Sequence, residues 1–327
     1  MTLKKLSEIT GYSVSTLSKV FSNSKEINQA TKEEIIKKAK ELGVYDKYAK
    51  ATYPKRVIAV IVPEIESTFY TGIISELRKI ISKKNATMVV SVTEFLESEE
   101  QSLISFYSSN KRADGIIVVN GRTVAKKYSE VPVVYIGSSK TNDYADTINA
   151  DYLVGLNEAV FELKNLGHEK IAFIGESLTN RKAEKFTEAI KNNSLPLLSD
   201  LIISRKERFE EAGYRGIESL YKKKKIPTAV VCAYDYIALG VIDFLESVNL
   251  KVPDDVSVIG MDDIKIASYK KISLSSISLG INEICPIAIE TLFEKIENPF
   301  NKLNKTITVK SKFIMRSSVS KARNLLT

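Results

Sequence analysis

The chain has 327 residues, 44% of them hydrophobic and 27% charged, which excludes a disordered polymer and exceeds what one ordinary core can hold. No apolar run is long enough to span a bilayer and the first residues, MTLKKLSEIT, lack the apolar centre of a secretory signal, so a cytoplasmic protein is expected. The net charge is +8, and residues 1–56 carry 12 Lys and Arg against six Asp and Glu, so most of the excess sits in a basic head on a nearly neutral body, the pattern of a polyanion binder. Two cysteines, Cys232 and Cys285, suit a reducing compartment and read as small buried apolar residues rather than a disulfide.

In chain order, Leu3, Leu6 and Ile9 mark one stripe of a first short helix. Ser13 offers an N-cap to a second, with Leu17, Val20 and Phe21 on its apolar side. Thr31 and Glu34 have capping-box spacing before a third helix lined by Ile35, Ala39 and Leu42 and stopped by Gly43. None of the three is long enough to persist alone, so they must share a core. The TGYS turn forces the first two to cross steeply, which is helix-turn-helix geometry.

From Arg56 the texture changes. RVIAVIVP, ATMVVSV, DGIIVVN and VPVVYIG are continuously apolar, β-branched runs, separated by helical-period segments at 68–84, 98–110 and 122–128. Such runs fit parallel strands buried on both faces. The texture restarts near residue 150 with EKIAFIG, DLIIS, PTAVVCA and DVSVIGM, between helices expected at 151–166, 180–192, 206–224 and 234–249. A last helix at 282–297 and a strand at 306–313 close the chain. The expected fold is a small all-α helix-turn-helix head (1–45), a short linker (46–56) and an α/β two-lobed, doubly wound body (57–327). The first lobe is expected over about 57–149 and 280–305, the second over about 150–279 and 306–327.

TLKKLSEITGYSVSTLSKVFSNSKEINQATKEEIIKKAKELG, VIVPEIESTFY, LGHEKIAFIG, PTAVVCAYDYIALG, VPDDVSVIGMDD and FIMRSSV, in that order, resemble the lactose-repressor/galactose-repressor (LacI/GalR) family of bacterial transcription regulators over nearly the whole chain. The resemblance implies a periplasmic-binding-protein-like body and a second helix whose Val14, Ser15 and Lys19 face base edges in the major groove. Val14 suits a thymine methyl, Ser15 donates or accepts, and Lys19 donates to guanine, although as a Lys it lacks the bidentate fork of Arg. Thr16 and Ser18 are placed for phosphate oxygens. Core packing is the competing role for Val14, and plain surface polarity for Thr16.

The linker VYDKYAKATYPK departs from the family. It is shorter and has no Leu to wedge into the minor groove; the wedge position falls near Thr52 or Tyr53, and Pro54 ends any helix there. Weaker DNA bending, or Tyr53 as a substitute wedge, is expected.

The effector residues that the resemblance implies are Phe69, Tyr70, Asp151, Tyr152, Arg181, Lys185, Tyr234 and Asp262, in the crevice at the strand carboxyl ends. Lys185 stands where relatives carry Arg, and Tyr234 replaces a frequent Asn. Core packing for Phe69 and Tyr70, and a turn role for Asp262, are the alternatives. His168 reads as a turn residue.

No dinucleotide or phosphate-loop motif, no metal spacing and no nucleophile elbow is present, so neither an enzyme nor a cofactor or metal is expected. The implied protein is a homodimeric repressor on a two-fold double-stranded DNA operator, switched by a small molecule, with a sugar as the favoured class and no membrane partner. An activator or a corepressor-dependent regulator with a non-sugar effector fits the same features. A sugar-binding protein that does not touch DNA fits them less well, because it would lack the basic head.

Overall fold

Helix α1 (Leu3–Thr10) starts at Thr2, whose hydroxyl accepts from Lys5 N, and stops at Gly11, held at φ 75° where a β-carbon is disfavoured. Helix α2 (Val14–Phe21) is capped by Ser13, whose Oγ accepts from Thr16 N at 3.0 Å. The third helix, α3 (Gln29–Glu41), begins earlier than the capping-box spacing suggested. Asn28 Oδ1 accepts from Thr31 N at 2.8 Å, and Glu34 turns outward to accept from Tyr12 OH at 2.7 Å. Leu6, Leu17, Val20, Phe21, Ile35, Ala39 and Val44 form the core of the head. A further turn, α4 (Tyr45–Tyr48), packs its two tyrosines near Phe21, with ring centroids 6.4 and 5.7 Å away. The head therefore runs past residue 45, because the aromatic residues that open the clipped linker supply apolar area to a small core.

The computed structural model describes the whole chain apart from residues 1, 22, 23, 25, 49–54, 110, 111, 126–129, 139, 141, 269–272, 302 and 324–327. It divides into Met1–Arg56 and Val57–Thr327. Thr52, Tyr53 and Pro54 of the linker lie outside the described residues.

The body has two six-stranded sheets. The first comprises β1 (Arg56–Val62), β2 (Ala86–Val92), β3 (Gly115–Gly121), β4 (Val133–Ser138), β5 (Asp146–Asp151) and β11 (Thr306–Lys310), in the order β11-β5-β4-β3-β1-β2. Ile58, Val60 and Val62 face α5 (Thr68–Lys83) and α12 (Ile281–Glu297), while Ala59 and Ile61 face the side of α6 (Glu97–Ser108). Both faces of β1 are thus buried, which is why its sequence shows no alternation. The second sheet comprises β6 (Ile171–Glu176), β7 (Ile202–Arg205), β8 (Ala229–Cys232), β9 (Ser257–Met261), β10 (Ser275–Ser278) and β12 (Lys312–Ile314), in the order β12-β10-β9-β8-β6-β7. Its helices are α7 (Tyr152–Asn165), α8 (Asn180–Asn192), α9 (Phe209–Lys222) and α10 (Asp235–Ser247), with the short α11 (Lys265–Ser268) after β9.

Two expectations need correction. The strand expected at 306–313 is two strands: β11 runs parallel to β5 in the first sheet, and β12 runs antiparallel to β10 in the second. The last passage between lobes therefore falls at Ser311, not near residue 305. Ser311 Oγ donates to the Asp151 carbonyl (2.5 Å) and accepts from Gly155 N (2.9 Å), tying this passage to the one at Asp151–Tyr152. The helix expected at 122–128 is absent over 122–125, and 126–129 lie outside the described residues. There the backbone N–H groups of Arg122 and Thr123 donate to the buried Glu100 carboxylate, a capture that competes with helical bonding. Cys232 and Cys285 are both buried and free.

Helices α9 and α10 touch backbone to backbone: a β-carbon on Gly240 would sit 1.8 Å from the Glu210 carbonyl oxygen. Gly240→Ala must part the helices, and a loss of about 1–3 kcal/mol or more is expected in urea unfolding. His168 is buried, and its Nε2 donates to the Ser320 carbonyl (2.9 Å) with Ser257 Oγ 3.2 Å away. Burial lowers the pKa of the ring, outweighing the bond to Ser320. Folding thus favours the neutral form: its contribution is complete above about pH 6.5 and is lost as pH falls through the depressed folded value. Tm should fall as pH drops from about 6.5 to about 5, and His168→Gln should flatten part of that fall.

Candidate functional site: the cleft between the lobes

The strands of both sheets end at a common crevice, a cavity of about 550 Å³. Its first wall comes from the loop after β1 (Glu64, Ser67), the start of α5 (Phe69, Tyr70), Phe95 and Asn120. Its second comes from Glu176, the first turns of α8, Arg208 and Phe209, and the segments after β8 and β9 (Tyr234, Tyr236, Asp262). Asp151 and Tyr152 line it at the crossover.

All eight effector residues expected from the sequence line this cavity, but they are not equivalent. Tyr70 is buried; its hydroxyl accepts from Asn120 Nδ2 (2.9 Å) and its ring meets Phe69 edge-on at 5.1 Å. Asp151 caps α7, accepting from Leu153 N at 3.0 Å. Tyr234 OH donates to Glu176 (3.1 Å) and accepts from Phe209 N (3.0 Å). Arg181 reaches across to donate to the Ser138 carbonyl at 3.4 Å.

The inner cation is a residue that sequence reading passed over. Lys185 has a side chain 47% exposed and pairs with Glu188 at 2.8 Å. Lys182, one turn earlier on α8, is only 16% exposed; its Nζ donates to Asp262 (3.1 Å) and to the Ala233 carbonyl (2.8 Å). It also stands 5.3 Å from the centre of the Tyr152 ring. Burial works against its charge, but Asp262 and Tyr152 outweigh that and hold its pKa above the ordinary lysine value. Asp262 adopts φ 95° at a turn braced from below, where buried Asp235 accepts from Ile264 N (2.7 Å) and Ser276 Oγ (2.6 Å). The adjoining Asp263 pairs with Arg316.

A second set was also missed. Arg208 pairs with Glu64 (3.1 Å) from the first lobe and lies 3.5 Å from Glu176 in its own. Its guanidinium stacks on Phe95 (5.2 Å) and Phe209 (4.6 Å). Burial raises the Glu176 pKa, opposed by Arg208 and Tyr234. Paired charges between aromatic rings hold polar ligands by hydrogen bonds and stack on their apolar faces.

Residues 160–319 match the periplasmic binding protein-like domain family. The ribose operon repressor of Haemophilus influenzae is 26% identical over 97% of this chain and 98% of its own length. Catabolite control protein A of Priestia megaterium is 24% identical over 89% of this chain and 91% of its own. Over nearly its whole length the chain is similar to repressors of the LacI/GalR type. A solved LacI family transcriptional regulator from Enterococcus faecium, with bound ribose, superposes at a TM-score of 0.71 and 22% identity, covering 82% of this chain and 100% of that one; the two share the fold. Like its LacI/GalR relatives, the chain is a DNA-binding transcription regulator of the repressor class and not an enzyme. No helix among the described residues is long and apolar enough to cross a membrane.

In the head, Val14 is 43% exposed, which removes the core-packing alternative for it. Ser15 and Ser18 are exposed beside it on α2. Thr16 Oγ1 lies 2.9 Å from Ser13 Oγ at the cap, and Lys19 Nζ pairs with Glu26 at 2.5 Å. A base contact by Lys19 therefore requires this exposed pair to open, a change of small cost. Tyr53 lies outside the described residues.

Proposed function

We propose that the chain is a cytoplasmic, homodimeric repressor whose affinity for a two-fold operator is switched by a sugar or sugar derivative bound between the lobes. Val14, Ser15 and Lys19 read base edges, and Thr16 and Ser18 hold phosphates. Phe69, Tyr70, Asp151, Tyr152, Lys182, Arg208, Tyr234 and Asp262 hold the ligand, with Arg181 and Lys185 at the more exposed part of the lining. The observation that carries the ligand class is the pairing of aromatic rings with buried, mutually compensated charges in one cavity. Such groups exchange hydrogen bonds with hydroxyls while rings cover the sugar faces. The ribose in one relative's name and in the Enterococcus faecium structure agrees with that chemistry.

The switch follows from linkage. A ligand that binds one arrangement of the lobes better than another shifts their populations, and operator affinity changes by the same differential. A thermal-shift screen of the full chain against mono- and disaccharides, sugar phosphates and nucleobases tests the ligand class. A sugar should raise Tm in proportion to log concentration above its Kd; a nucleobase hit with no sugar hit would replace the proposal.

A further inference from the structure

Of the charged groups in the cleft, the set around Arg208 is out of balance. Lys182 and Asp262 compensate each other one to one. Arg208 alone faces two carboxylates, Glu64 and Glu176, which are 7% and 3% exposed. Glu64 Oε2 and Glu176 Oε2 are both buried against Arg208, and the two residues line the cavity. A carboxylate is an acceptor with room for several donors. Here one carboxylate comes from each lobe, and the pair carries one negative charge beyond what its guanidinium neutralises.

We infer that Glu64 and Glu176 read hydroxyl donors on an uncharged part of the ligand, and that they select a free sugar over its phosphate ester. This inference rests on the sugar reading above. A sugar hydroxyl donates to a carboxylate and adds no charge. A phosphate brings about −1.5 to −2 charges and only acceptor oxygens, so beside two carboxylates it meets like charge with no proton to share. Of the other cations in the lining, Lys182 is taken up by Asp262 and Arg122 lies over the Phe95 ring. Arg181 already donates to a carbonyl, and Lys185 is exposed and paired with Glu188.

The test is isothermal titration of the full chain at about pH 8, where free carboxylates are fully ionised. The probes are matched pairs: ribose and ribose phosphate, glucose and glucose phosphate, cellobiose and cellobiose phosphate. The free sugar of at least one pair should bind about tenfold or more tightly than its ester, a difference of about one pKa unit of interaction energy. E64Q and E176Q should weaken the free sugar and bring the ratio towards parity. In parallel, E176Q should leave Tm unchanged or raise it, because one carboxylate per guanidinium remains, whereas R208Q should lower Tm. An ester that binds as tightly as its free sugar overturns the selection and leaves the sugar reading intact. So does an unchanged ratio in folded E64Q and E176Q, or a Tm loss in E176Q as large as in R208Q. If no probe of either kind binds, the sugar reading fails and this inference falls with it.

Discussion

Replacing Lys182 with Met is expected to remove about 3–5 kcal/mol from the stability of the body, the cost of leaving one member of a buried ion pair uncompensated. The partner it abandons, Asp262, is 9% exposed and held on a turn at φ 95°. The same change removes the charge over Tyr152, so the thermal shift given by the ligand should disappear as well. Lys182→Met with Asp262→Asn removes both charges and should recover most of the stability but not the ligand response. Urea unfolding of the single and double variants, followed by far-UV circular dichroism, measures the coupling. A single variant within about 0.5 kcal/mol of wild type, the usual range for exposed sites, would place the pair in solvent.

The second large effect belongs to the head. Leu17→Ala deletes the side chain of a fully buried residue in a core of seven, at a cost of about 2–5 kcal/mol. A unit ending near Tyr48 holds only about 2–7 kcal/mol in total. The head should therefore melt while the body keeps its ligand-induced thermal shift. Operator binding in gel shift should vanish with effector binding intact, a dissociation that an exposed change such as Ser15→Ala cannot produce because it leaves the fold alone.

How much of this was legible beforehand depended on the kind of signal. Runs such as RVIAVIV announced buried parallel strands because both faces of β1 are covered, and helices α5, α8 and α12 followed from apolar period within one or two residues. The strand at 306–313 was misread because one apolar-polar alternation continues across Ser311 while the partner changes from β5 to β10. Pairing is a tertiary fact that local pattern does not encode. The cap of α3 was misplaced for a related reason: Asn28 and Thr31 are both good caps three residues apart, and only backbone dihedrals separate them.

The cleft shows the same division. Aromatic and acidic positions were found, since family motifs mark them. Lys182 and Lys185 lie three apart on α8, on neighbouring faces of one helix, and spacing cannot say which points inward. Glu64, Glu176 and Arg208 are 32 or more residues apart in sequence and meet only when the lobes face each other. The linker reading changed in the other direction. VYDKY looked like a truncated hinge, but Tyr45 and Tyr48 join the core of the head, so the connecting segment is shorter still.

Fluorescence anisotropy of a labelled duplex from the chain's own upstream DNA, titrated at fixed salt with and without the sugar found in the thermal-shift screen, tests the central claim most directly. The wild-type operator Kd should change by about 5–150-fold when the sugar is saturating, the usual span of such couplings. Lys182→Met should bind the same duplex with no response. An operator affinity that the bound sugar leaves unchanged, or one no greater than that for bulk DNA at the same salt, would contradict it.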